Sequence, residues 1–402
     1  MRDCRSPFAR LLSVLGIEHL AHPLRIARNA KLRFGMPFYL RRFVAQSDAR
    51  FRDDPRYQLD FVTSGFASRL DDSANDTELL RRICTAYVKT VADERDAPSC
   101  YQPTPWWVEN RRASLANAMR ALKNGDADTL HRMYRNFFRD PCATGLVGVP
   151  FGNREEYFRH PMKDIHRRAY LGDALYRLDY WRSVTGGNLE LHDLGVPNIG
   201  NPYGVLLDDT LIRFGAEYHH YCAYEVLKLN SSRGVVAEIG GGHGATAYYL
   251  LRVAEDLTYL NFDVPESVAL ATYFLLKAFP SKTFTLYGER DLTEETIATS
   301  DVLLLPAFAL QKMPLGIVNV TLASHLLNDL SRDALAAYLD FVSRTTQNYF
   351  VYFGNERAVS SITRLLQASR GFAPPQIRPS DWNRHKIPDY REVEAIYEFR
   401  AK

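Results

Sequence analysis

The chain has 402 residues, 46% of them hydrophobic and 24% charged, with 50 basic side chains against 47 acidic ones. That length exceeds one hydrophobic core and predicts two domains, while the composition excludes a disordered or fibrous chain and the near-balanced charge lacks the basic excess of a nucleic-acid-binding surface. No run approaches the roughly 18 to 20 apolar residues of a membrane span, and Cys4, Cys84, Cys100, Cys142 and Cys222 are too scattered for a disulfide framework or a cysteine-rich zinc site, so a cytoplasmic setting is expected.

Residues 1–53 hold eleven Arg or Lys against four acids. The apolar run 8–20 is broken by Arg10 and Glu18 with no clear cleavage site after it, which argues against a signal peptide. The segment is expected to be a solvated helical arm, with contact to a membrane surface or an acidic partner as the alternative. From 76 to 140 apolar residues recur at spacings of three and four, as in Leu79, Leu80, Ile83, Tyr87 and again in Leu130, Met133, Tyr134, Phe137. Pro98, Pro103, Pro105 and Asn124-Gly125-Asp126 separate the helices this pattern predicts. Glycine and proline become frequent between 145 and 202, which places a boundary near 185–205 and gives a mainly helical domain over 1–200, for acceptor binding or oligomerisation, before a second domain over 201–402.

A helix over 213–229 leads into a different texture. Short apolar strands are predicted at 235–239, 258–263, 283–287, 316–322, 349–353 and 395–399, with helices at 245–256, 266–279, 332–345 and 360–369. Strands alternating with helices imply a parallel sheet covered on both faces, which binds its ligand beyond the carboxyl ends of the strands.

Gly240, Gly242 and Gly244 fall between the first of these strands and its helix, where a sharp turn needs positive φ and a bare backbone admits a ligand. One unit later Asp263 ends the second strand, where a carboxylate can accept from ribose hydroxyls. Together they predict a nucleoside site. Gly240, Gly242 and Ala245 also satisfy the dinucleotide pattern, so a nicotinamide cofactor stays open at this point; Glu238 before the turn suits a cationic ligand better than a pyrophosphate.

Five segments in order, at 198–208, around Tyr218 and Tyr221, at 236–244, at 262–266 and at 382–392, resemble the successive motifs of bacterial sugar O-methyltransferases. The resemblance covers residues 195–402 well and the helical half loosely, through 106–122 and 147–153. It implies an α/β class I methyltransferase fold, a Rossmann-like doubly wound sheet behind a mainly helical N-terminal domain, with S-adenosyl-L-methionine as donor and a sugar hydroxyl as acceptor. Carried onto this chain, Glu238, Gly240, Gly241, Gly242, His243 and Gly244 would line the donor and Asp263 would hold its ribose. The chain departs from that pattern at His243, where an aromatic residue is commoner, and over 321–329.

His325 is the first candidate base, since it follows the strand ending near Ala323 and falls on the ligand side of the sheet. Asp329 is the second, unless it caps the next helix. Arg384, His385, Tyr390 and Arg391 form a polar cluster suited to acceptor hydroxyls or a phosphate. His219 and His220 are adjacent and so face different ways on a helix, and no metal ligand set is read. The leading function is an O-methyltransferase acting on a hydroxyl of a sugar, glycan or natural product. The alternatives are an NAD-dependent sugar-modifying oxidoreductase and a catalytically silent partner protein, and a homo-oligomer is possible for each.

Overall fold

A computed structural model of the chain describes residues 38–70, 76–151, 155–158, 161–230, 233–369, 371–387 and 391–400. Most of the basic N-terminal arm, and Cys4 with it, lies outside these residues, as does Tyr390. Cα packing divides the chain into two compact units, Met1–Leu59 with Val149–Asp173 and Asp60–Gly148 with Ala174–Lys402. The division expected near residue 200 is therefore not where the packing separates. Helices predicted for the first domain belong to the same unit as the sheet, because buried polar side chains fasten them to it.

In the first unit helix α1 (38–51) meets the early turns of a later helix, whose Gly172 has no room for a Cβ: one would lie 2.4 Å from Ser47 Oγ. Ser47 returns its hydroxyl to the Phe43 carbonyl at 3.0 Å, and Asp48 accepts from Tyr57 and pairs with Arg168.

The second unit opens with α2 (Leu59–Gly65), α3 (Thr77–Glu94), α4 (Pro105–Ala113), α5 (Ala116–Asn124) and α6 (Ala127–Tyr134). Their ends follow the sequence: Thr104 caps α4 ahead of Pro105, Gly125 closes α5 in the left-handed conformation at φ 66°, and the Asp126 side chain opens α6. After α7 (Glu155–Phe158) and α8 (Asp164–Val184), which belong to the first unit as far as Asp173, the second unit continues with a hairpin of β1 (Val205–Leu207) and β2 (Thr210–Ile212), which the sequence pattern did not predict, and α9 (Ala216–Asn230).

The sheet is built from β3 (Arg233–Ile239), β4 (Asp256–Asp263), β5 (Phe284–Leu286), β6 (Val302–Pro306), β7 (Val318–Ser324), β8 (Thr346–Asn355), β9 (Gln376–Pro379) and β10 (Glu392–Glu398), in the order β5-β6-β4-β3-β7-β8-β10-β9. The first six of these are parallel, as expected, and β10 and β9 close the far edge antiparallel. Between strands run α10 (Ala245–Val253), α11 (Pro265–Ala278), α12 (Glu294–Ala298), α13 (Arg332–Thr345) and α14 (Glu356–Ala368). The fold is the expected α/β, Rossmann-like doubly wound sheet. Strand β6 was missed because Val302-Leu-Leu-Leu-Pro306 is apolar throughout and buried on both faces, so it shows no alternation. The cap of α13 is Ser331, whose side chain accepts from the Ala334 amide.

Three buried attachments tie the helical segments to the sheet domain. Trp107 and Arg111 of α4 donate to Glu266 at the start of α11, and the same Arg111 grips Glu94 of α3 at 2.9 and 3.0 Å. Asp76 accepts from Tyr273 and pairs with Lys277, both on α11. Tyr134 of α6 meets the Tyr273 ring edge-on at 5.3 Å. Removing one partner from such a buried ion pair costs about 3 to 5 kcal/mol, enough to make these helices part of the sheet's own core.

Candidate active site

Strand β3 delivers its chain to a turn at the carboxyl edge of the sheet, between the two strands, β4 and β7, that flank it. Gly240, Gly242 and Gly244 all take positive φ there, at 82°, 58° and 88°. They serve different ends. A Cβ on Gly240 would strike Leu326, one on Gly241 would lie 2.6 Å from Asn261 Oδ1 and 2.8 Å from the Tyr259 hydroxyl, and one on Gly244 would press on Leu275. A Cβ on Gly242 would meet nothing within 4 Å. The turn is therefore packed from behind and open at Gly242, beside a cavity of about 990 Å³ within the second unit. Glu238, Gly240, Gly241, Gly242, His243 and Asp263 line that cavity; Gly244, expected with them, does not, because it starts α10 and packs on its neighbour. The volume is at the upper end of single small-molecule sites, roughly 300 to 1,000 Å³, and leaves room for two small molecules together.

Asp263 is held firmly at the end of β4. One carboxylate oxygen accepts from the Gly242 amide at 2.9 Å and from Ser267 at 2.7 Å, the other only from the Val264 amide at 2.7 Å. That second oxygen keeps a lone pair for a ligand hydroxyl. Burial raises the Asp263 carboxyl to about 6 against the lowering effect of those three bonds. Glu238 is pushed further, to about 7, by burial and secondarily by Asp263, although Tyr259 donates to it at 2.5 Å. Two buried carboxyls beside an open backbone turn fit a ligand that brings both hydroxyls and positive charge.

His243 is also in the wall, but its ring sits among Phe137, Phe138 and Phe274, and its Nε2 lies 3.2 Å from Arg213 Nη2. Burial and the neighbouring Arg213 and His219 hold it far below the ordinary histidine range, so it is neutral and accepts from Arg213. It acts as a latch between the turn and the helical segments.

His325, immediately after β7, also lines the cavity. It has φ 60°, a left-handed conformation that is uncommon for a residue with a Cβ, and its amide is tied to the Phe353 carbonyl at 2.7 Å. The ring lies 5.5 Å from that of Tyr218 and keeps 42% of its side-chain surface accessible. Its Nδ1 is 3.7 Å from Glu392 Oε1. Burial lowers the His325 pKa, Glu392 opposes this and Arg177 adds to it. The side chain of Asp329 lies outside the described residues.

The motif at 382–392 contributes to the site through residues other than those singled out from sequence. Arg384 pairs with Asp381, His385 stacks on Tyr176 at 4.8 Å, and Arg391 is exposed near Glu356; none of the three lines the cavity. Trp382, Asn383 and Glu392 do, together with Arg177, Tyr218 and the exposed ring of Trp106. No periodicity marks these six residues. The run resembling the family's end motif was the available signal for Trp382, Asn383 and Glu392. His219 and His220 diverge as expected, toward Thr246 and Trp181. Among the described residues no group of three His, Cys, Asp or Glu is placed to hold a metal, and no helix is long and apolar enough to cross a membrane.

No family model matches this chain, and no curated protein matches it. Among solved structures it is similar to the magnesium protoporphyrin IX methyltransferase of Synechocystis PCC 6803 with bound SAM, at 13% identity and a TM-score of 0.33, over 57% of this chain and 97% of that one. It is also similar to a variant of the 16S rRNA (adenine(1408)-N(1))-methyltransferase from Catenulisporales acidiphilia, at 12% identity and a TM-score of 0.29, over 44% and 91%.

Proposed function

We propose that the chain is an S-adenosylmethionine-dependent O-methyltransferase whose acceptor is a hydroxyl of a sugar or of a sugar-containing glycan or natural product. The observation that carries this reading is the meeting of two unlike features in one cavity: an open glycine turn flanked by Glu238 and Asp263, and an accessible histidine in the same lining. Glu238, Gly240, Gly241, Gly242 and Asp263 are the donor-holding residues, with Asp263 toward the ribose and Glu238 toward the positive end. A dinucleotide's pyrophosphate would meet the Glu238 carboxyl where backbone amides alone are wanted.

S-adenosylmethionine supplies an electrophilic methyl group on a sulfonium, and the thioether is released. The chain's residues hold the acceptor oxygen in line, which is worth roughly 7 to 11 kcal/mol of the barrier, and receive its proton at His325 Nε2. The exposed face of Trp106 at the cavity suits the C–H face of a sugar ring, whose weakly positive hydrogens meet the ring's negative face.

Calorimetry with S-adenosylmethionine, S-adenosylhomocysteine and NAD tests the donor, and mass spectrometry of metabolite and glycan pools after incubation with methyl-labelled donor tests the acceptor. The expected result is binding of the first two ligands and a labelled methyl on a hydroxylated, sugar-bearing product. NAD binding with no response to the other pair would replace the reading with an oxidoreductase, and donor binding without transfer to any pool would replace it with a silent partner protein.

A further inference from the structure

We propose that Glu392, itself oriented by Asn383 and Arg177, is a positioning residue that fixes the proton of His325 on Nδ1 and so leaves Nε2 free to take a proton from the acceptor; this rests on the O-methyltransferase reading above. The argument begins at the amide of Asn383. Its Oδ1 accepts from Arg177 Nη2 at 2.7 Å and its Nδ2 donates to Glu392 Oε2 at 3.1 Å. A guanidinium only donates and a carboxylate only accepts, so this amide can sit one way round. One Glu392 oxygen is thereby taken, and the other, Oε1, is the atom that faces His325 Nδ1 at 3.7 Å. Catalytic hydrogen bonds of ligand-free sites are often long and tighten in the complex.

The surroundings favour the same assignment. Glu392 is buried at the first pair of the β10 ladder, opposite Asn355 of β8, and the backbone of His325 is bound to Phe353 two positions earlier on that strand. His325, just after β7, and Glu392, on β10, thus flank the same strand, β8, and both are hydrogen-bonded or paired to its end. Among the described residues, the charged or titratable groups facing the ring are Glu392 from β10, Arg177 from α8, and Tyr218 and His219 from α9. Tyr218 is engaged with Ser324 at 2.6 Å, and burial with the nearby Arg213 keeps His219 neutral, at about 3. Glu392 is the acceptor among these four that faces Nδ1. A histidine held by a carboxylate through one ring nitrogen presents the other as a base. The left-handed backbone at His325 is the strain such a placement tolerates.

The test is nuclear magnetic resonance titration of the His325 ring in the full chain, in wild type, Glu392→Gln and Asn383→Ala. Wild type should show Nδ1–H as the main neutral tautomer. Glu392→Gln should lower the His325 pKa and move population to Nε2–H, and Asn383→Ala should do the same to a smaller extent. An unchanged pKa and tautomer in Glu392→Gln would overturn the proposal, and so would Nε2–H as the main tautomer of wild type. Glu392→Asp, which keeps the charge, should restore the wild-type tautomer in part and serves if the glutamine variant does not fold. With an acceptor in hand, Glu392→Gln should lower kcat about 10- to 100-fold with KM unchanged. The titration needs neither donor nor acceptor, so a protein that fails to bind S-adenosylmethionine would overturn the function proposed above and leave the pair standing.

Discussion

The wall that we assign to the donor comes from one stretch of chain, residues 238–244, completed by Asp263 at the end of the neighbouring strand. A second wall is assembled from Arg177, Tyr218, His325, Trp382, Asn383 and Glu392, among them Arg177 and Asn383, which hydrogen-bond each other across 206 residues of sequence. The first is a backbone turn, fixed by φ angles and missing Cβ atoms, between two buried carboxyls. The second is made of side chains brought together from helices, strand ends and the turn around Trp382. Substitution in the turn should therefore act through folding and ligand fit, and substitution of the accessible His325 through chemistry.

The sharpest separation is expected at His325. Replacing it by glycine removes the base, which should lower turnover about 10²- to 10⁴-fold, and also removes a left-handed Cβ that costs roughly 1 to 2 kcal/mol. His325→Gly should thus be at least as stable as wild type in denaturant melts, bind the donor unchanged and transfer methyl poorly. A variant that loses stability would mean that the ring is a structural strut, and the contrast between the walls would dissolve. Gly241→Ala should behave in the opposite way. Its Cβ meets the buried Asn261 and Tyr259 side chains, so overpacking should cost about 1 to 3 kcal/mol and weaken donor binding through the displaced turn. Unaltered stability and donor affinity would show that the turn yields.

The same contrast explains what could be read in advance. The strand, the glycine turn and Asp263 are local in sequence, and His325 follows directly from the end of a strand, so their places at the cavity were legible, apart from any role there. Gly244 was over-read, since its positive φ serves packing on Leu275. Glu392 was invisible as a partner because its nearness to His325 depends on β10 pairing antiparallel beside β8, a long-range register with no local signature. The division of the chain was misplaced for a related reason: the proline- and glycine-rich stretch before residue 202 looks like a linker, while Asp76, Trp107 and Arg111 bind the helices to α11 through side chains that no hydrophobic period records.

A smaller effect probes the backbone-built wall by charge. Burial raises Glu238 to about 7, so in the free protein it is mostly protonated at pH 6 and mostly ionised at pH 8. A donor carrying positive charge binds the ionised form, and its affinity should rise about tenfold between those pH values and then level off. Stability runs the other way. A carboxyl whose folded pKa is raised contributes fully below its ordinary value, and that contribution is lost as pH climbs through about 7, with Asp263 losing its own through about 6. The ligand-free Tm should therefore fall over that window, and the donor should recover most where the loss is greatest. In Glu238→Gln the donor affinity should become nearly flat with pH while the part of the Tm decline due to Asp263 persists. Calorimetry and thermal melts at pH 6, 7 and 8 check both slopes; a donor affinity that falls toward pH 8 in wild type would remove Glu238 from the donor wall and leave the turn to bind through its backbone alone.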